Sequence, residues 1–322
     1  MPPTRIGVVG AGFIAGRHVD TLCTLPDVAV VGVADPQADR AAKLAARAGA
    51  AAYPDLDTML AHLPLDAVYL CVPPAAHGDL ERAVLARGLG LFVEKPLGVD
   101  LAEAEKLAVE IEAAGVPTAT GYHWRYLDTV EQARALLADR PPLLVAVSWL
   151  DRTPGTPWWP VRAASGGQLV EQATHLFDLC RLLAGEVDTV TAVGARSPGG
   201  AGDIDHVAAG TLRFVSGAVG SITSTCLLHR GWRTTLEVVA DGLVLAIGEN
   251  EMLVDDGAER RTVPVEVDPM LQEDADFVAA VRGQPVTPRV PYAEALRTHR
   301  LAVAVARSAA GSPAGTPVTV GG

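Results

Sequence analysis

Lys95 draws attention because the chain uses lysine so sparingly: of 26 Lys and Arg residues, only Lys43, Lys95 and Lys106 are lysines. It follows the apolar run Leu91–Val93 and sits between Glu94 and Pro96. A lysine at the end of a strand, beside a carboxylate, can hydrogen-bond or polarise a substrate hydroxyl, and partial burial lowers its pKa toward a useful range. An ordinary surface Glu–Lys pair is the alternative, which the scarcity of lysine and the position at a strand end disfavour. A second group of polar residues, Glu171, His175 and Asp178, is spaced to form one helical stripe, with Leu169, Ala173, Leu176 and Phe177 left for a core. No second His follows at zinc-helix spacing, so no metal is expected.

The sharpest local pattern is Gly10-Ala11-Gly12-Phe13-Ile14-Ala15, which follows one apolar run and opens a helical one. The first Gly allows a tight turn, and the second lets backbone approach a pyrophosphate. The small Ala15 permits close packing of helix on strand. The helix start then offers bare N–H groups and a positive dipole end to phosphates. Asp35 ends the next strand, 20 residues after Ala15, where a ribose-binding carboxylate belongs. Such a carboxylate repels a 2′-phosphate, and Pro36 and Gln37 bring no positive charge, so NAD is expected over NADP. In Cys71-Val72-Pro73-Pro74-Ala75-Ala76-His77 the double Pro ends a strand at the sheet edge where ligands bind. His77 there either touches the nicotinamide half of the cofactor or bonds the helix backbone.

These residues need a scaffold, and the first 121 residues supply an alternating one. Strands are expected at Ile6–Val9, Val28–Val33, Ala67–Val72, Leu91–Val93 and Thr118–Gly121. Helices are expected at Ile14–Thr24, Gln37–Ala48, Leu56–Ala61, Ala76–Ala86 and Leu101–Ala114. That alternation predicts a doubly wound parallel sheet with helices on both faces. The pattern then changes. A helix over Asp128–Ala138, a strand over Leu143–Leu150 and a loop over Arg152–Ser165 precede a helix that Gly166-Gly167 opens and that runs to Leu183. Strands follow at Thr189–Ala195, His206–Phe214, Ala218–Cys226, Thr234–Ala240 and Leu243–Ile247, a meander that predicts a mostly antiparallel sheet. Asp255-Asp256 and Arg260-Arg261 read as the solvated turn of a hairpin. Helices at Met270–Arg282 and Tyr292–Ala310 close the chain before a Gly/Pro tail.

A dinucleotide fingerprint, then CVPPAAH, then VEKPLGVDLAEAEKL, then a strand-rich second half, together resemble the Gfo/Idh/MocA oxidoreductase family over essentially the whole chain. The resemblance implies an α/β fold, with an N-terminal Rossmann domain over residues 1–121. It implies a C-terminal α+β domain over residues 122–322, built on a large, mostly antiparallel open sheet that binds substrate and serves oligomerisation. It implies an NAD(P)-dependent dehydrogenase or reductase acting on CH–OH groups of sugars, inositols or related polyhydroxy compounds, assembled as a homodimer or homotetramer. Residues Gly10, Gly12, Phe13, Ile14, Asp35, Cys71, Pro73, His77, Glu94 and Lys95 are then the cofactor contacts. The family places an Asp four residues before a His on the first long helix of the second domain. His175 matches that His, and Glu171 stands in place of the Asp. On this model His175 accepts the hydroxyl proton, Glu171 orients it or holds a substrate hydroxyl, and both face Lys95 across a cleft. Arg125, at the domain junction, faces cofactor or substrate, or else makes an inter-domain salt bridge. Trp158, Trp159 and Arg162 on the preceding loop suit a sugar's C–H faces and hydroxyls, with a loop plug packed on the core as the alternative. Two further activities fit the same residues: a redox-neutral sugar-modifying enzyme that retains NAD, and a catalytically silent NAD-binding regulator.

Composition narrows the field. A chain of 322 residues with 49% hydrophobic and 20% charged residues predicts two globular domains rather than a disordered chain. Its net charge of −12 disfavours non-specific nucleic-acid binding. No apolar run reaches transmembrane length. The apolar stretch after Arg5 is broken too early by Arg17-His18 to act as a signal peptide. The four cysteines show no CxxC spacing and read as small core residues in a reducing cytoplasm.

Overall fold

The computed structural model describes residues 2–311 and 315–321. The chain forms two compact units. The first comprises residues up to Tyr126 together with Asp268–Leu296, and the second comprises Leu127–Val267 and the residues from Arg297 onward.

The first unit is built on six parallel strands, β1 (Thr4–Val9), β2 (Val28–Ala34), β3 (Ala51–Tyr53), β4 (Ala67–Leu70), β5 (Gly90–Val93) and β6 (Thr118–Thr120), in the order β3-β2-β1-β4-β5-β6. The order reverses at β1, and a sheet of this kind binds ligands outside the carboxyl ends of its strands at that point. Helices α1 (Phe13–Leu22), α2 (Ala38–Ala48), α3 (Leu56–His62), α4 (Asp79–Leu85) and α5 (Leu101–Ala114) connect the strands. β4 and β5 are buried at every position, as strands covered on both faces must be. The edge strand β3 escapes sequence reasoning because it is three residues long and has no alternation to detect.

In the second unit, α6 (Asp128–Leu137) leads into β7 (Leu144–Leu150). Three short helices follow, α7 (Arg162–Ser165), α8 (Gln168–Glu171) and α9 (Thr174–Ala184). The rest of the sheet is β8 (Val187–Ala195), β9 (Val207–Phe214), β10 (Val219–Thr225), β11 (Arg233–Ala240), β12 (Leu243–Ile247), β13 (Glu251–Asp255) and β14 (Arg260–Pro264). After α10 (Pro269–Val281) and α11 (Tyr292–Ala310) comes β15 (Val318–Thr319). The nine strands run β14-β13-β12-β11-β7-β10-β9-β8-β15, antiparallel except for the parallel pair β7 and β10. One face carries the buried residues. Along β10 burial alternates strictly, the mark of a sheet with one solvated side.

Three expectations need correction. A single boundary at Gly121 does not describe the chain, because α10 packs Phe277 and Val278 into the same core as Ile6, Val8 and Val19 of the first unit. The helix expected from Gly166 to Leu183 is broken: Gly166 and Gly167 have φ of +77° and +86°, and Ala173 N–H reaches back five residues to the Gln168 carbonyl at 3.0 Å. Such a π-type bond shifts the helical register and separates α8 from α9. Cys23, finally, is exposed rather than buried, just past the end of α1. No described helix is long and apolar enough to cross a membrane.

Candidate active site

The Gly-rich turn is fixed by close approach. Gly10 has φ +88°, and a Cβ there would lie 2.2 Å from the Cys71 carbonyl oxygen, so only glycine fits. Gly12 caps α1 without any side-chain hydrogen bond, its own Cβ position is open, and the first helical turn holds no acidic residue. The leading N–H groups of α1, from Phe13 and Ile14 onward, therefore lie at an uncapped, positively polarised terminus. Phe13 is exposed, Ile14 half-buried and Ala15 fully buried against the sheet. Asp35 braces this turn. Its Oδ2 accepts the Ala11 N–H at 2.8 Å and its Oδ1 the Gln37 N–H at 2.8 Å. Two of its lone-pair positions remain for a ribose hydroxyl. An open glycine cradle, an uncapped helix start and a carboxylate at the next strand end fit NAD, with Gly10, Gly12, Phe13, Ile14 and Asp35 as the residues that would hold its adenosine and pyrophosphate.

Farther along the same sheet edge stand the residues that follow β4 and β5. Cys71 is buried, and burial pushes its thiol well above the usual range, so it is an inert packing group rather than a nucleophile. Pro73 precedes a single 3₁₀ turn over Pro74–Ala76, which replaces the start of the helix expected from Ala76. His77 Nδ1 lies 2.5 Å from Glu81 Oε1, while Glu81 Oε2 accepts the Gly78 N–H at 2.6 Å. Burial works to raise the Glu81 carboxyl, but His77 and the backbone bonds win and hold it low. His77 Nε2 is buried without a hydrogen-bond partner. The ring lines a cavity of about 310 Å³ with Pro74, Leu97, Gly98 and Glu103. Glu94 is buried; its Oε2 accepts the backbone N–H of Lys95 at 3.0 Å, and Lys95 itself is half-buried. The Lys95-Pro96 peptide is cis.

In the second unit Glu171 ends α8, and the Trp159 indole N–H donates to its Oε2 at 2.6 Å. Trp159 is 1% exposed and packs with Ile204 and Cys226. It is therefore no open wall for a sugar: the loop-plug alternative describes it, with the added role of anchoring Glu171. Trp158 is half-buried against that same cluster. His175, in the first turn of α9, is buried and stacks on Trp149 with ring centroids 6.1 Å apart and planes 17° from parallel. Asp178 shares α9 with His175, three residues on, and is fully buried. It accepts from Thr298 Oγ1 at 2.7 Å, and Thr298 in turn accepts from Arg181 Nη1 at 2.7 Å, so Asp178 belongs to a buried structural network. Arg162 pairs with Asp205 at 2.9 Å.

Arg125 is 6% exposed and pairs with Glu294 of its own unit at 2.8 Å. Among the buried polar residues of the first unit that sequence reasoning missed are His18 on α1 and Asp274 on α10. The signal was available, since each is a polar residue at an inward position of an amphipathic helix. Among the described residues, no three His, Cys, Asp or Glu side chains cluster closely enough to hold a metal ion.

Residues 4–122 match the model of the GFO_IDH_MocA oxidoreductase family, NAD-binding Rossmann fold, and residues 141–243 match the GFO/IDH/MocA C-terminal domain. The chain is 29% identical over 270 residues to myo-inositol 2-dehydrogenase of Thermotoga maritima, covering 80% of each chain. It is 30% identical over 243 residues to the uncharacterised oxidoreductase YrbE of Bacillus subtilis, covering 72% of this chain and 70% of that one. Among solved structures, GenD2 from gentamicin A biosynthesis, in complex with NAD, superposes with a TM-score of 0.82 at 25% identity, over 100% of this chain and 97% of that one.

Proposed function

The chain belongs to the GFO/IDH/MocA family of NAD-binding oxidoreductases, and from that premise we propose that it transfers hydride between NAD and a carbinol or carbonyl carbon of a sugar, cyclitol or related polyhydroxy compound. The observation that carries the reading is Lys95: a half-buried lysine, its peptide held by Glu94, on the same sheet edge as the turn that fits NAD. The inositol dehydrogenase among its relatives supports the substrate class.

Bound NAD supplies the hydride acceptor when the alcohol is oxidised. The chain's own residues orient the substrate and move its proton. Lys95 donates a hydrogen bond to the reacting hydroxyl and favours its alkoxide character. His175 takes the hydroxyl proton. Glu171, held by Trp159, orients the imidazole or binds a neighbouring hydroxyl; its extra methylene relative to Asp is offset by that indole anchor. Asp35 selects NAD over NADP, because its carboxylate accepts from the ribose hydroxyls and repels a 2′-phosphate. Arg162 has its charge matched by Asp205, which favours a neutral polyol over an acidic or phosphorylated one.

The second unit is proposed to bind substrate and to associate with a further copy through its open sheet. Val244, Val239, Leu144 and Val219 are in register across four strands, and Val244, Leu144 and Val219 are exposed. An apolar row on a solvated sheet face is the kind of patch that association covers.

The test is Lys95→Ala. Nearly intact NAD affinity with most turnover lost supports the role of Lys95, and full activity rejects it.

A further inference from the structure

We infer that His18 and Asp274 are positioning residues for Lys95, acting through Glu94; this deepens the reading of Lys95 given above and rests on it. The starting point is a polar residue in the wrong place. The inward stripe of α1 is Ala15, His18, Val19 and Leu22, all fully buried. An imidazole at such a site costs stability unless both nitrogens are satisfied. Here they are. Nδ1 lies 2.8 Å from Asp274 Oδ1 and Nε2 lies 2.9 Å from Glu94 Oε1. The ring is held edge-on to Phe92, with centroids 4.8 Å apart, and tilted on Tyr69 at 5.3 Å.

Asp274 is placed by the same logic on the other helix. Met270, Asp274, Phe277 and Val278 form the inward stripe of α10, and Asp274 is fully buried. Its second oxygen accepts a hydrogen bond from the Thr21 hydroxyl. Burial alone would depress the His18 pKa, but the charge of Asp274 and the bonds to both carboxylates raise it to about 10. The ring is therefore an imidazolium with two N–H donors, and the three residues form a carboxylate–imidazolium–carboxylate rod running from α10 to the end of β5.

That rod determines where Glu94 points. One Glu94 oxygen is fixed by His18 and the other accepts the Lys95 N–H at 3.0 Å. The space around the carboxylate is also shaped: a Cβ at Gly121 would come 2.4 Å from Glu94 Oε1. Buried ionic groups are a poor way to gain stability, since apolar residues of equal volume often do as well or better. What the rod provides that apolar packing would not is a carboxylate fixed at both oxygens, and hence a fixed peptide at Lys95.

The experiment is a double-mutant cycle on the full chain, with Asp274→Asn, Lys95→Ala and the pair, measuring NAD affinity and turnover on the best polyol. The positioning role predicts that Asp274→Asn lowers kcat by about tenfold while NAD affinity stays within about twofold, and that it costs nothing further in the Lys95→Ala background. Losses that multiply in the double variant would overturn the proposal, because Asp274 would then act by another route. An unchanged kcat with only a lower unfolding temperature would overturn it too. Full turnover by Lys95→Ala alone would reject the reading of Lys95 itself, a result separate from the other two. If Asp274→Asn fails to fold, Thr21→Val removes the hydroxyl's bonds to Asp274 and to the His18 carbonyl and enters the same cycle, with a loss of about threefold expected. A readout independent of turnover is available because the chain has three lysines. Acylation mapped by mass spectrometry should show the Lys95 rate changing relative to Lys43 and Lys106 in Asp274→Asn, and a constant ratio would count against the proposal.

Discussion

Replacing Asp35 by Ala separates two jobs that one carboxylate performs. Asp35 is 8% exposed, and its two oxygens accept the N–H groups of Ala11 and Gln37, each at 2.8 Å. Hydrogen bonds to a charged group contribute about 1.5–3 kcal/mol each. Water can recover part of this at the rim of a ligand site, so a net loss of about 1–3 kcal/mol in folding stability is expected. The braced turn serves NAD and NADP alike, and its loosening weakens both by the same factor. The ribose contact does not. Losing one carboxylate–hydroxyl bond of about 1.5–3 kcal/mol weakens NAD by a further factor of about 10–150, while NADP is relieved of repulsion at its 2′-phosphate. The ratio of the two dissociation constants therefore isolates the ribose term, whatever happens to the turn. Fluorescence titration of wild type and Asp35→Ala with each cofactor gives that ratio. A collapse by about tenfold or more is expected. Equal weakening of NAD and NADP would mean that Asp35 only braces the turn, and would refute its role in cofactor choice.

Three other outcomes follow from the geometry. The folded-state pKa of His18 is raised from 6.5 to about 10, so its contribution to stability is fully present below pH 6.5 and is lost as pH rises through 10. Denaturant unfolding between those limits should show wild-type stability falling by up to about 1.4 kcal/mol per pH unit, a slope that Asp274→Asn flattens; parallel curves would contradict this. Gly121→Ala places a Cβ 2.4 Å from a Glu94 oxygen that His18 holds in place. It should cost about 1–3 kcal/mol and reduce kcat, both measurable in one preparation. Trp159→Phe removes the indole donor from Glu171 and should lower kcat/KM by about tenfold with NAD affinity unchanged, as steady-state kinetics would show.

Much of this arrangement was legible in the sequence. Gly10, Gly12 and Asp35 announced themselves because their chemistry is local: a tight turn, a helix start and a strand end lie within one short stretch of chain. The place of Lys95 at a strand end was legible from the apolar run before it. Other features depended on distant partners. The Asp178 network needs Thr298, 120 residues away, and no spacing rule reports it. Trp159 looked like a surface for sugars, but its burial depends on Ile204 and Cys226, which arrive from the loop before β9 and the residue after β10. The return of α10 to the first unit was invisible because amphipathic periodicity says that a helix packs, not against which sheet. The break between α8 and α9 was half visible: Gly166-Gly167 gave the start, but the five-residue backbone bond at Ala173 has no sequence signature. His18 and Asp274 were the avoidable misses, since a polar residue on each inward stripe was there to be noticed.

The most direct test of the central claim is nicotinamide absorbance during incubation of the purified protein with NAD and a panel of inositols, aldoses and sugar acids, with Lys95→Ala as the blank. NADH formation by the wild type on a neutral polyol, absent in the Lys95 variant, is the predicted result. Silence across the panel in a protein that binds NAD, or equal rates in both proteins, would contradict it.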